Sequence, residues 1–168
     1  MDEGTAEVAI RNATEDDIEG MLDVLSAVAA EGRWIATELP LDRAARGQSL
    51  RESIARSDGT VLVACAEGTV VGELTLWPSA TPRELGLGMA IAAGWRGRGL
   101  GRALLDAAIE AARAQRARAL RLLVFPHNAA AIALYARHGF EPMAYLTEHV
   151  LRRNGERWDC VSMRLRLD

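Results

Sequence analysis

Apolar and polar positions along the chain follow two periods, and each change of period marks an element. Residues 8–11 (Val-Ala-Ile-Arg) read as a short first strand. Ile18, Met21, Leu22 and Leu25 then recur at helical spacing behind Thr14, with Asp17 as its capping partner. Residues 31–42, carrying Trp34, Glu38 and Pro40, read as loop, and residues 43–56 as a second helix of weaker pattern. Residues 61–66 and 70–77 are strands joined by the tight Glu67-Gly68 turn, a hairpin signal. A fourth strand is expected over residues 84–91, where Gly86 and Gly88 suggest a bulge or a close backbone approach. Residues 100–115 carry the clearest amphipathic helix. Residues 119–125 are nearly continuously apolar, the pattern of a central buried strand, and Pro126 ends it. Residues 128–138 form a short helix closed by Gly139. Two last strands, 145–151 and 157–167, flank Asn154-Gly155, the strongest hairpin signal in the chain. Seven strands and interspersed helices predict one α/β (α+β) domain over residues 1–168, with helices flanking a mixed sheet.

Composition narrows the function classes. The 168 residues are 49% hydrophobic and 26% charged, a globular balance. A formal net charge of -3 supplies no global attraction to nucleic acid or to an anionic membrane. All 20 basic residues are arginine, which excludes lysine chemistry. Cys65 and Cys160 lie in strand-like runs and read as buried free thiols. Asp2, Glu3 and Glu7 are unlike a signal peptide, and no apolar run is long enough to span a bilayer, so a cytoplasmic protein is expected. His127, His138 and His149 lack metal-site spacing, and no metal is expected.

The candidate chemistry begins at Trp95-Arg96-Gly97-Arg98-Gly99-Leu100-Gly101-Arg102, between the fourth strand and the long helix. Glycines let backbone N–H groups approach a ligand, and the first N–H groups of a helix lack internal partners at the positive end of its dipole. Strand, glycine turn and helix start together cradle phosphate oxygens. A P-loop needs Gly-Lys-Ser/Thr, and lysine is absent. A dinucleotide fingerprint would need a third glycine where Arg102 stands. A kinase glycine loop joins two strands, whereas this one opens a helix.

Arg96, Gly99 and Gly101 do satisfy R/Q-x-x-G-x-G/A. Downstream, Asn128 at a helix start, Ala131-x-x-Leu134-Tyr135 on it and Gly139-Phe140 at its end form a second block. Together these resemble the GNAT superfamily of acyl-CoA-dependent N-acetyltransferases. The resemblance implies a mostly antiparallel seven-stranded sheet splayed between its fourth and fifth strands. It also implies acetyl-CoA as acyl donor, with its pyrophosphate on Arg96, Gly97, Arg98, Gly99, Leu100, Gly101 and Arg102. The pantetheine arm would lie along the backbone of Met89, Ala90 and Ile91 and against Asn128, which also serves as a helix cap. Tyr135 would protonate the departing thiolate. A carboxylate should take the proton of the attacking amine. Glu84, two residues from Gly86 and on its side of the strand, is the first candidate, with Glu73 and Glu38 as others. Leu123 stands where ribosomal-protein acetyltransferases carry a glutamate, which favours a small-molecule amine, an amino acid or an amino-acid-like antibiotic, over a peptide. A non-catalytic acyl-CoA sensor is the third reading. The acceptor is expected between Trp34, Ile35 and Glu38 and the hairpin residues Tyr145, Arg152 and Arg153. No nucleic-acid or membrane partner is implied, and a homodimer is left open.

Overall fold

A computed structural model describes residues 6–168; the acidic start at Asp2 and Glu3 lies outside them. Among the described residues seven strands form one sheet: β1 (Val8–Asn12), β2 (Thr60–Ala66), β3 (Thr69–Pro78), β4 (Glu84–Ile91), β5 (Ala119–Val124), β6 (Glu141–Leu151) and β7 (Arg157–Arg166). Their spatial order is β1-β2-β3-β4-β5-β7-β6. All neighbours are antiparallel except β4 and β5, which run parallel. The helices are α1 (Ile18–Ala30), α2 (Arg43–Ala55), α3 (Leu100–Ala114) and α4 (Ala129–Arg137). This is the mixed, mostly antiparallel α/β sheet that the periodicities and the resemblance imply.

Strand alternation divides the core between the two faces of the sheet. Leu62, Ala64, Leu74, Leu76 and Leu87 pack with Leu100, Leu104, Leu105, Ala108 and Ala112 of α3. On the other face α1 sets Met21 and Leu22 against Val61 and Val63, and Leu25 and Val28 against Ala90. Because Leu74 and Leu76 face α3, their neighbours Glu73, Thr75 and Trp77 face the side of α1 and α2. Asp17 fixes the entry to α1, accepting from the Thr14 N–H at 2.7 Å and from both terminal nitrogens of Arg11 at 2.7 and 2.9 Å. The Arg11 guanidinium holds this carboxyl below the usual aspartate range. α2 is docked on α1 through Leu50, which packs with Ile18, Met21 and Leu22, and through Arg43, which binds Glu19 and Asp23.

Three expectations change. The β3–β4 register runs unbroken from Gly72↔Ile91 to Pro78↔Leu85, so Gly86 and Gly88 make no bulge. They make room for Trp77: a Cβ at Gly86 would sit 2.4 Å from the indole Nε1, and one at Gly88 3.3 Å from Cζ3. β6 begins at Glu141, four residues before the expected 145. Pro142 is tolerated there because β6 is an edge strand with no outer neighbour requiring its N–H. Finally, β5 is not buried throughout. Leu123 is 54% exposed, on the face that α1 and α2 leave open.

Candidate active site

β4 and β5 pair only at Glu84↔Ala119, Leu85↔Leu120 and Gly86↔Arg121. Beyond Gly86 they separate, and a cleft of about 1250 Å³ opens between them. Ladder alternation decides which backbone groups face it. The Ala92 N–H donates to the Val71 carbonyl at 2.9 Å, and the Ser79 N–H to the Glu84 carbonyl at 3.0 Å. Even-numbered residues of β4 therefore turn their amides to β3, and Leu87, Met89 and Ile91 turn theirs to the cleft. Met89 and Ile91 can bond a ligand running along this edge. Ala90 cannot do so through its backbone, because it is committed to β3 opposite Glu73.

The glycine turn lies at one end of the cleft. Gly97 and Gly99 have φ of 73° and 83°, left-handed values that favour glycine, and no atom lies within 4 Å of where their Cβ atoms would be. The first intrahelical donor of α3 is Ala103, whose N–H reaches the Gly99 carbonyl at 3.0 Å. The preceding N–H groups of Leu100, Gly101 and Arg102 are thus free of helical partners. Gly101 is glycine for a different reason: a Cβ there would meet Leu134 of α4 at 2.9 Å. The three arginines differ in their commitments. Arg96 clamps both oxygens of Glu31 at 2.7 and 2.6 Å and donates from Nε to the Ile91 carbonyl at 3.0 Å. Its side chain ties the end of α1 to the end of β4. Arg98 lies over the Trp95 ring at 4.7 Å, and Arg102 is exposed, 3.8 Å from Asp106.

Asn128 caps α4, its side-chain oxygen accepting from the Ala131 N–H at 3.3 Å, and it also lines the cleft. Tyr135 lines the cleft from the same helix. The helix ends in a Schellman motif: the Phe140 N–H bonds the Tyr135 carbonyl at 3.1 Å and the Gly139 N–H the Ala136 carbonyl at 3.0 Å. The Phe140 ring packs 5.6 Å from that of Tyr135. Gly139-Phe140 therefore fixes the turn that carries Tyr135. Burial pushes the Tyr135 hydroxyl up to about 12, so it holds its proton at neutral pH.

The three candidate carboxylates occupy different settings. Glu84 sits at the paired end of β4, before the strands part, and does not line the cleft. It is buried, and its oxygens are taken by Arg121 Nε and, at 2.7 Å, by Arg164. Burial alone would raise its carboxyl, but the two guanidinium groups bring it below the ordinary glutamate value. This geometry corrects its expected role: Glu84 is a clamp on the paired end of β4, β5 and β7. Glu38 receives the Arg153 N–H at 2.9 Å and lies 3.5 Å from Arg152, holding the 31–42 loop to the β6–β7 turn. Glu73 differs from both. It lines the cleft, is 6% exposed, and its Oε2 has no hydrogen-bond partner among the described residues. Burial, opposed by the charge of Arg46, raises its carboxyl from 4.5 to about 7.

The expected acceptor walls are also revised. Trp34 and Ile35 line the cleft, but Tyr145, Arg152 and Arg153 do not. Tyr145 is exposed and donates to Asp159 at 2.7 Å. Arg152 is a buried strut, donating to the Ile35 and Ala36 carbonyls at 3.2 Å and lying 4.2 Å from the Trp158 ring. In their place Arg46, Ser49 and Ser53 of α2 line the cleft with Thr75, Trp77, Leu123 and Ser162. Trp77 was legible, since a hairpin over β3 and β4 sets it opposite Gly86. Arg46, Ser49 and Ser53 form a polar stripe that reads as the solvent face of a weak helix.

A splayed parallel strand pair with an amide-lined edge, a glycine cradle and a protonated tyrosine defines an acyl-CoA-dependent N-acyltransferase. The model of the acetyltransferase (GNAT) family matches residues 26–140, and the chain belongs to that family. The chain is 31% identical over 163 residues to the L-amino acid N-acetyltransferase of Escherichia coli (strain K12), covering 94% of this chain and 97% of that protein. It is 33% identical over 166 residues to an L-methionine sulfoximine/L-methionine sulfone acetyltransferase of Pseudomonas aeruginosa, covering 95% of each. The crystal structure of the ribosomal-protein-alanine N-acetyltransferase from Brucella melitensis superposes with a TM-score of 0.86 at 32% identity, covering 95% of this chain and 99% of that one.

Proposed function

We propose that the protein transfers the acetyl group of acetyl-CoA to the α-amine of a free amino acid or a close analogue. The open, unpartnered amides at the start of α3 suit the donor's pyrophosphate. The Met89 amide and carbonyl and the Ile91 N–H suit its pantetheine arm and the thioester carbonyl. Glu73 takes the proton from the acceptor ammonium. The neutral amine attacks the carbonyl, the new C–N bond forms, the adduct nitrogen releases its second proton to water and the C–S bond breaks, while Glu73 returns the first proton to solvent. Tyr135 donates its proton to the leaving sulfur and recovers it from solvent. The products are the N-acetyl compound and free coenzyme A.

The observation that carries this reading is the setting of Glu73, a buried carboxylic acid without a hydrogen-bond partner in the same cleft as Tyr135. Raised to about 7, it is shared between acid and carboxylate forms at neutral pH and is matched to accepting an amine proton. Bracing of the acceptor end supports a small acceptor: the 31–42 loop, which brings Trp34 and Ile35 to the cleft, is tied to the β6–β7 turn by Arg152 and Arg153. The E. coli and P. aeruginosa relatives carry amino-acid and amino-acid-analogue activities in their names, in line with this choice. Coenzyme A thiol release should be measured with free L-amino acids, L-methionine sulfone, and peptides beginning with the same residues. Turnover with the free compounds is expected; turnover with peptides alone would defeat the reading.

A further inference from the structure

We infer that Arg46 is the receptor for the acceptor's α-carboxylate, so that Arg46 and Glu73 together read the two ends of an amino-acid zwitterion. The inference rests on the amino-acid reading above and assigns the residue that enforces it.

Five arginines line the cleft: Arg46, Arg96, Arg102, Arg121 and Arg137. Arg96 is held by Glu31, and Arg121 by Glu84. Arg102 is in the first turn of α3, and Arg137 shares a face of α4 with Leu134, the side chain that packs on Gly101. Both therefore flank the cradle end. Arg121 shares the acceptor face with Leu123 but is committed to Glu84, so of the five Arg46 alone stands on the acceptor side with no ion pair or side-chain hydrogen bond to its guanidinium among the described residues. Its position is firmly built. Asp42 caps α2 by accepting from the Ala45 N–H at 2.9 Å, Arg43 fastens that end to α1, and Leu50 packs with Ile18 and Leu22 of α1. Arg46, Ser49, Leu50 and Ser53 then fall at i, i+3, i+4 and i+7 on the cleft face.

The field of Arg46 reaches Glu73, since it offsets part of the burial that raises that carboxyl. A free amino acid carries carboxylate and ammonium on one carbon. A carboxylate received by the guanidinium fork leaves the ammonium on the Glu73 side of the cleft. An internal peptide bond offers no such anion, so a peptide N-terminus would forfeit this contact. Ser49 and Ser53 add hydroxyl donors on the same stripe.

The test compares the best acceptor among the L-amino acids with the α-carboxamide of that same amino acid, in the wild type, Arg46→Ala and Arg46→Lys. Because losing Arg46 also removes the charge that opposes the rise of the Glu73 carboxyl, each variant is assayed across pH 7 to 9.5, and KM is compared on the plateau above its own Glu73 titration. Arg46→Ala should raise KM for the amino acid by about 30-fold, in the range of a lost charge-assisted pair, with kcat little changed. KM for the carboxamide and for acetyl-CoA should stay within about twofold, and Arg46→Lys should recover part of the loss. An equal loss for acid and carboxamide, or no loss for either, would overturn the assignment while leaving amino-acid acetylation standing. A wild type that turns over peptides and no free amino acid would overturn both.

Discussion

Replacing Glu73 by glutamine should stabilise the fold at neutral pH while removing most of the activity. The carboxyl is raised from 4.5 to about 7 because its charged form is buried in the cleft wall beside Ala90 of β4, against the partial relief of Arg46. At about 1.4 kcal/mol per pH unit, that gap corresponds to roughly 3 kcal/mol held against folding once Glu73 is ionised. The sign follows from proton counts. Below pH 4.5 the group is neutral in both folded and unfolded chains and contributes nothing. Between 4.5 and about 7 the folded chain keeps a proton the unfolded chain has lost, so stability falls as pH rises. Above about 7 both are ionised and the penalty is complete. Urea unfolding of wild type and Glu73→Gln across pH 4 to 9 gives the difference directly, and contributions from the other carboxylates cancel in it. The variant's advantage should climb through that window and level off near pH 8. Any constant offset from burying the amide does not change the slope. Turnover should fall by about 100-fold or more, the scale of a lost general base, and the wild-type rise in kcat/KM near pH 7 should vanish. A stability difference that is flat with pH, or a variant that retains full turnover, would refute the reasoning.

Three further outcomes test the remaining assignments. Tyr135→Phe should lower kcat more than about tenfold with KM for acetyl-CoA unchanged, since the ring keeps its packing and loses only the proton; unaltered kcat in steady-state thiol release would remove its role. Glu84→Gln should destabilise by about 2 kcal/mol in urea unfolding, because the half-buried Arg164, whose Nε already lacks a partner, loses its charge-assisted carboxylate; a soluble variant with normal stability and lost turnover would restore Glu84 as a catalytic group. Gly86→Ala should destabilise and raise KM for the acceptor by forcing the Trp77 indole off the sheet, and Trp77→Ala in the same chain should relieve the stability loss; additive losses in that double-mutant cycle would refute the contact.

Features coded by local backbone chemistry were legible in the sequence, and those coded by long-range side-chain pairing were not. The left-handed glycines 97 and 99, the Asn128 cap and the Gly139 stop each depend on a few consecutive residues, and the structure bears out these local geometries. The general base shows the opposite case. Glu84 shares the face of Gly86, as parity predicts, yet parity says nothing of where along β4 the neighbouring strand departs. It departs just after Gly86, which leaves Glu84 inside the paired zone among arginines from β5 and β7 that are distant in sequence. The β3–β4 hairpin register carries the missing information. Once Trp77 is set over Gly86, counting back along β3 puts Glu73 opposite Ala90, at the open end and on the face of α1 and α2. The alternating glycines of β4 thus report the register through the indole they accommodate, and the register in turn selects the carboxylate that reaches the cleft.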